Sequence, residues 1–158
     1  MKIRVGFGFD VHQLKEGNDL WIGGIKISHT KGTVGHSDAD VLIHAICDAL
    51  LGAAGMRDIG FHFPDTSGEF KNIDSKILLQ RVMDLLKKEN YSIGNLDCTL
   101  VLENPKINPH IDTIKKTLAP ILNIETNDIG IKATTNEKMG YVGREEGVCA
   151  YAVVLIQK

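Results

Sequence analysis

Residues 37–55, SDADVLIHAICDALLGAAG, decide what kind of layer this chain builds. Ser37, Asp38 and Asp40 offer capping oxygens ahead of apolar residues at Val41, Leu42, Ala45, Ile46, Ala49 and Leu50. That spacing predicts a helix, with a stop near Gly52 or Gly55. Upstream, residues 3–9 alternate, placing Val5, Phe7 and Phe9 on one face of a strand that runs into Asp10-Val11-His12. Two short strands, 20–22 and 25–28, flank the turn signal Gly23-Gly24, and residues 31–36 read as a loop. Downstream, residues 57–72 carry no sustained period, and a loop of about sixteen residues in a compact domain is usually functional. A second helix, capped by Asp74 or Ser75, is expected to reach about Glu89, burying Ile77, Leu78, Val82, Leu85 and Leu86. Residues 96–102 predict a buried strand, Asn108-Pro109 a capped helix start, and Pro120 the kink or end of that third helix. Residues 129–134 and 148–156 supply the last strands, with the polar, glycine-bearing segment 135–147 between them.

The order β, a β pair, α, α, β, α, β, β is too mixed for a doubly wound parallel sheet and too helical for a sandwich. It predicts an α+β fold: a mixed β-sheet with helices on one face, in one domain over residues 1–158. A sheet that is apolar on both faces but covered on only one is expected to self-associate. The 158 residues carry 18 Lys+Arg against 20 Asp+Glu, a net charge of −2, and no basic run is denser than Lys87-Lys88 or Lys115-Lys116. That balance argues against a nucleic-acid partner. An apolar share of 43 % with 24 % charged residues is ordinary for a globular domain. Cys47, Cys98 and Cys149 form no CxxC pair and read as buried thiols in a reducing compartment. No apolar run approaches the ~18 residues that span a bilayer, so no membrane partner is expected. The amino terminus has neither a secretory core nor a transit pattern. A cytoplasmic location is the default expectation, and a plastid protein stripped of its transit peptide would read the same.

Three groups are candidates for chemistry: Asp10-Val11-His12, His36 to Asp40 leading into His44, and Thr134 to Glu137. Asp10 and His12 are two apart on a strand and share a face. Asp40, His44 and Asp48 stand at i, i+4 and i+8 on the first helix, beside its apolar stripe. Together Asp10, His12 and His44 would make an O,N,N set with an open fourth position, the pattern of catalytic zinc. A hydrogen-bonded core histidine at His44 and a strand-terminating Asp10 account for the same residues without a metal. Asp40 and Asp48 read as solvated groups, or as groups that orient His44, rather than as ligands. His36-Ser37 opens a helix, where anions are attracted, and Ser37 reads equally as a cap. Thr134, Thr135 and Glu137 offer hydroxyls and a carboxylate to phosphate and a hard cation, or are ordinary turn chemistry. His29, His62 and His110 show no partner pattern.

Taken in order, DVH, GHSDADVLIHAICDALLGAAGMRDIGFHFPDT, ENPKINPH and KATTNEKMGYVGREEG resemble the 2-C-methyl-D-erythritol 2,4-cyclodiphosphate synthases of the non-mevalonate isoprenoid pathway, nearly end to end. The resemblance implies a homotrimer of α+β subunits packed through their sheets, with each active site shared by two neighbouring chains. It implies a metal-dependent phosphorus–oxygen lyase acting on a small nucleotide substrate. That enzyme cyclises 4-diphosphocytidyl-2-C-methyl-D-erythritol 2-phosphate to the 2,4-cyclodiphosphate and releases CMP.

Residue by residue, the resemblance implies Zn2+ held by Asp10, His12 and His44, and Mg2+ or Mn2+ held by Glu137 with substrate phosphates. His36 and Thr135 match transition-state-stabilising positions. Asp58, Ile59, Gly60, Phe63, Pro64, Asp65, Thr66 and Ser67 match the segment around the methylerythritol phosphate, with Ser37 beside it. Leu102, Glu103, Asn104, Pro105 and Lys106, continuing to Asn108, and Thr134 and Asn136 match the segments around the cytidine diphosphate. Phe9, Arg144 and Glu146 match the lining of an axial cavity that can hold isoprenoid diphosphates, and Tyr141 and Arg144 are also implied as substrate-binding positions. The chain departs from the family's usual residues at Ser67 (aspartate), Asn136 (threonine) and Tyr141 (phenylalanine). Two other readings predict different outcomes. A zinc-dependent phosphohydrolase would place water in its product, and a non-catalytic trimeric metal- or ligand-binding protein would have its metal fully coordinated by protein.

Overall fold

A computed structural model describes residues 1–158. Seven strands and five α-helices follow the chain: β1 (Ile3–Glu16), β2 (Leu20–Ile22), β3 (Ile25–Ile27), β4 (Lys31–Thr33), α1 (Val41–Ala54), α2 (Ile59–His62), α3 (Ser75–Lys88), β5 (Ser92–Val101), α4 (Ile111–Leu122), β6 (Ile129–Thr134), α5 (Gly140–Gly143) and β7 (Gly147–Gln157). The main sheet has the order β4-β1-β7-β5-β6. Only β5 and β6 run parallel, so the sheet is mixed; β2 and β3 form a separate hairpin. The α+β expectation, with its mixed sheet, is what the chain forms.

Helix α1 lies on β1 and β7, α3 packs beside α1 and α4, and α4 reaches β6. The glycines of β1 set how closely α1 approaches. A Cβ at Gly6 would sit 1.9 Å from the carbonyl oxygen of Ala49, and one at Gly8 would sit 1.9 Å from that of Ala45. The apolar alternation of β1 therefore points the other way. Val5 is 66 % exposed and Phe7 62 %, and Val153 of β7 continues the patch. On β5 and β6 the same face turns polar, through Asp97, Thr99 and Lys132 in register with β7.

Several local expectations are corrected. Residues 31–33 pair with Leu14 to Glu16 as strand β4, because β1 runs on past His12 to Glu16. Leu79 is buried in α3 while Ile77 is 48 % exposed, since the buried stripe runs through 78, 79, 82 and 86. Asn108 supplies no capping bond; Asn108–His110 is a 3-10 turn that leads into α4. Pro120 does not end α4, which continues to Leu122. Its missing N–H frees only the carbonyl of Lys116, and both residues are exposed, so that carbonyl is open to solvent. The 57–72 loop holds α2 and a 3-10 turn, Gly68–Phe70, with the rings of Phe63 and Phe70 packed edge-on at 5.5 Å. No helix is long and apolar enough to cross a membrane.

All three cysteines are free and buried. Burial pushes Cys47 well above the usual thiol range and Cys98 up to about 12, so neither is a nucleophile near neutrality.

Candidate active site

Asp10 and His12 project from the helix-facing side of β1, and His44 meets them from the first turns of α1. The His12 Nε2 to Asp10 Oδ2 distance is 2.9 Å, His44 Nδ1 to Asp10 Oδ2 is 3.1 Å, and His12 Nε2 to His44 Nδ1 is 3.1 Å. These side chains form a group whose donor atoms all lie within hydrogen-bonding distance of one another, the arrangement expected of a metal centre. Three donors bound to one tetrahedral cation at 2.0–2.1 Å lie roughly 3.3 Å apart, so the observed triangle needs little adjustment. Two nitrogens and one carboxylate oxygen also suit zinc chemically.

The outer nitrogens are engaged. His12 Nδ1–H donates to the carbonyl of Val34 at 2.9 Å, which leaves Nε2 as the lone pair facing inward in the neutral ring. His44 Nε2 lies 2.9 Å from Ser75 Oγ and 3.1 Å from Ser37 Oγ. Burial raises the Asp10 carboxyl, but the inward N–H bonds and positive charge that His12 and His44 offer when both of their ring nitrogens carry protons outweigh it and hold it down to about 2. Burial lowers the His12 imidazole, and the bond to Asp10 with its charge reverses that, leaving His12 above its ordinary value. The cluster attracts a cation, proton or metal, to its centre.

Asp40 and Asp48 do not orient His44. The fully buried Asp40 carboxylate caps α1 through Ile43 N–H at 3.0 Å and accepts Gly23 N–H at 2.9 Å and Gly24 N–H at 2.7 Å. It ties the β2–β3 turn to the helix start. Asp48 accepts the N–H of Ile59 at 2.7 Å and so anchors α2. The groups touching His44 are instead Ser37 and Ser75. Ser75 is 31 positions from His44 and no local spacing announces the contact; it arises because the starts of α1 and α3 lie side by side.

A cleft of about 200 Å³ opens over the cluster, lined also by His36, Ser37, Ile59, Gly60, Phe63 and Asp65. His36 Nε2–H donates to the Ser67 carbonyl at 3.1 Å, fastening the loop that carries Pro64 and Thr66. A second cleft of about 120 Å³ lies at the ends of β5 and β6, against Leu102, Glu103, Pro105, Lys106, Thr134 and Thr135. Glu103 Oε1 accepts the N–H groups of Asn136 at 2.8 Å and Lys138 at 3.3 Å, so this carboxylate holds the turn. Thr135 Oγ1 accepts Glu137 N–H at 3.3 Å, and Glu137 and Lys138 take left-handed backbone, φ 53° and 61°.

The chain does not bring the two clefts together. Val11, Cys149, Val101 and Thr134 share one cross-strand row, so the Asp10–His12–His44 cluster and Thr134 stand three strand spacings apart, about 14 Å. Asn104 donates to the exposed Glu145 carboxylate. Arg144 donates twice to Glu146, at 2.9 and 3.2 Å. The Phe9 ring stacks 5.1 Å from Tyr151, roughly 16 Å along β1 from the level of Glu146. A Cβ at Gly147 would sit 2.9 Å from the Tyr141 ring.

Residues 3–157 match the model of the YgbB family. The 2-C-methyl-D-erythritol 2,4-cyclodiphosphate synthase of Parabacteroides distasonis is 66 % identical over 158 residues, covering 100 % of this chain and 98 % of its own. That of Bacteroides thetaiotaomicron is 62 % identical, with coverage of 100 % and 99 %. Among solved structures, a 2C-methyl-D-erythritol-2,4-cyclodiphosphate synthase in its CDP-bound form superposes with TM-score 0.90 at 34 % identity, over 98 % of this chain and all of that one. The bifunctional IspDF from Campylobacter jejuni superposes with TM-score 0.94 at 38 % identity; this chain covers 42 % of its length.

Proposed function

The chain belongs to the YgbB family, and on that premise we propose that it is an enzyme that converts 4-diphosphocytidyl-2-C-methyl-D-erythritol 2-phosphate to 2-C-methyl-D-erythritol 2,4-cyclodiphosphate and CMP. The observation that carries this reading is 66 % identity, end to end, with a relative of that name. An oxygen of the substrate's 2-phosphate forms a bond to the β-phosphorus. The bond from that phosphorus to the bridging oxygen breaks, and CMP leaves with the electron pair, a phosphorus–oxygen lyase reaction. The attacking phosphate is already ionised near pH 7, so no side chain has to activate it. The work of residues 1–158, one catalytic domain, is to fold a flexible polyanion onto itself. Aligned tethering of this kind supplies up to ~7 to 11 kcal/mol.

Asp10, His12 and His44 would hold Zn2+, and Glu137, with substrate phosphates, Mg2+ or Mn2+. Bound there, the cations supply Lewis-acid polarisation and neutralise charge toward the leaving group. Ser37 Oγ accepts Ala39 N–H at 3.1 Å, so its proton can go to a phosphate oxygen. His36 and Thr135 stabilise the transition state. The loop from Asp58 to Ser67 holds the methylerythritol phosphate; Leu102 to Lys106, Thr134 and Asn136 hold the cytidine diphosphate, and Tyr141 and Arg144 complete the substrate-binding set.

Neither cleft reaches the ~300–1,000 Å³ usual for a ligand of this size. Their separation, and the uncovered apolar face of β1 and β7, support a homotrimer in which the metal half from one subunit meets the nucleotide half of the next. Phe9 and the Arg144–Glu146 pair then lie at different heights along the axis, where an isoprenoid diphosphate would bind. A cytoplasmic location suits a protein whose cysteines are all reduced and buried. The test is incubation with the substrate, followed by phosphorus NMR with and without chelator. CMP and a cyclic diphosphate appearing only with metal support the reading. Incorporation of water into the product favours a phosphohydrolase, and no turnover with any metal favours a binding protein.

A further inference from the structure

His44 has two neutral tautomers, and the groups around it choose between them. With the proton on Nε2, the ring donates outward and Nδ1 presents a lone pair to Asp10 and His12. With the proton on Nδ1, the ring donates to Asp10, and Nε2 needs a donor. Both serines near Nε2 carry hydroxyls, so either tautomer is possible until the direction of each hydroxyl is known.

Ser75 settles the direction. It is completely buried, and its hydroxyl donates to Asp38 Oδ1. A carboxylate at neutral pH accepts only, so the Ser75 proton is committed to Asp38. Asp38 is itself fixed: Oδ1 accepts Asp40 N–H at 3.1 Å, and Oδ2 accepts Ser75 N–H at 2.9 Å. The Ser75 oxygen, 2.9 Å from His44 Nε2, can then only accept. The Nδ1–H tautomer would set two lone pairs against each other there, inside a buried site where such a conflict is costly. Ser37 does not impose the same choice, because nothing claims its proton.

We propose that Asp38 and Ser75 are positioning residues. Asp38, acting through Ser75, holds His44 in the Nε2–H tautomer and keeps Nδ1 free as a metal donor. The proposal rests on the reading of Asp10, His12 and His44 as a zinc site. Outer partners of metal-binding histidines commonly take this role, and their removal weakens metal binding by about 10- to 100-fold.

The test is zinc affinity, measured by competition with a chromophoric chelator on the assembled protein, independent of turnover. Ser75→Ala is expected to weaken binding by about 10- to 100-fold. Asp38→Ala frees the Ser75 hydroxyl to donate to Nε2 and is expected to weaken it comparably. Because the two act in series, the double variant should bind within about twofold of the weaker single variant, whereas independent effects would multiply. Ser37→Ala, which loses the other contact to Nε2, should keep zinc affinity within about twofold. In zinc-loaded protein with 15N-labelled histidine, His44 should show a protonated, slowly exchanging Nε2 that exchanges faster in Ser75→Ala. Wild-type affinity in both single variants, or multiplying losses in the double, overturns the relay. If His44→Ala binds zinc like the wild type, the zinc-site reading itself fails, and that outcome is distinguishable from the first two.

Discussion

Gly8 and Ala45 are in backbone contact: a single carbon added at Gly8 would lie 1.9 Å from the carbonyl oxygen of Ala45. Gly8 stands two residues before Asp10 on β1, and Ala45 directly follows His44 on α1. The contact that seats the helix on the sheet thus also sets the spacing between Asp10 and His44, two of the candidate metal donors. Gly8→Ala is expected to cost about 3 kcal/mol, the upper end of ordinary overpacking, because the obstacle is helix backbone. Thermal denaturation should show a fall of roughly 6 to 12 °C. Zinc affinity should fall too; unchanged affinity would mean that the helix shifts without moving His44.

Asp10→Asn and His44→Ala are expected to lower turnover more than ~10³-fold, a loss of about 4 kcal/mol of transition-state stabilisation. Sedimentation should show the same oligomer as wild type, since both side chains line a cleft rather than the uncovered sheet face. Full activity in either variant removes these residues from the metal site.

The pH dependence of stability should differ between the metal-free and zinc-loaded protein. Asp10, held at about 2 in the fold, contributes stability that is present above the ordinary carboxylate range and lost as pH falls toward 2. His12, raised in the fold, contributes stability that is full below its ordinary value near 6.5 and lost as pH rises through its folded value. These two groups therefore favour the metal-free fold most between roughly pH 4 and 6.5. Zinc replaces the proton, so loading should remove the alkaline loss. Urea midpoints across pH 4 to 9, with chelator and with zinc, measure this; parallel curves would exclude it.

If each site is shared between subunits, chains that are separately dead should rescue one another. His44→Ala spoils the metal half and Thr135→Ala the nucleotide half. Randomly mixed 1:1 trimers leave about a quarter of the boundaries intact, and about that fraction of activity should return on co-expression. Sites built within one chain would give none. Phe7→Asp, on the uncovered face, should separately yield monomers and abolish activity.

Much of this was legible in the sequence because it is written in local periodicity. The α1 pattern, a glycine stop at Gly52 or Gly55 and the late strands are fixed by neighbours within a few residues, and Asp10 and His12 share a face because a strand alternates. The same locality explains the errors. Strand β4 exists only through its partner on β1, and Pro120 is tolerated only because its turn faces water. Asp40 lies one helical turn before His44, yet its carboxylate is turned to the Gly23-Gly24 backbone.

The sequence by itself determined the long helices and most of the strands, the candidate ligands and the family resemblance. Only the tertiary structure decided that Val5, Phe7 and Phe9 face away from the helices, and that Ser75 and Asp38 rather than Asp40 and Asp48 support His44. The physical reason is range. Which side of a strand is buried depends on whether the facing helix needs room, and here the two glycines give α1 that room. Hydrogen-bond direction at a buried histidine likewise depends on groups drawn from distant parts of the chain, which no spacing along it records.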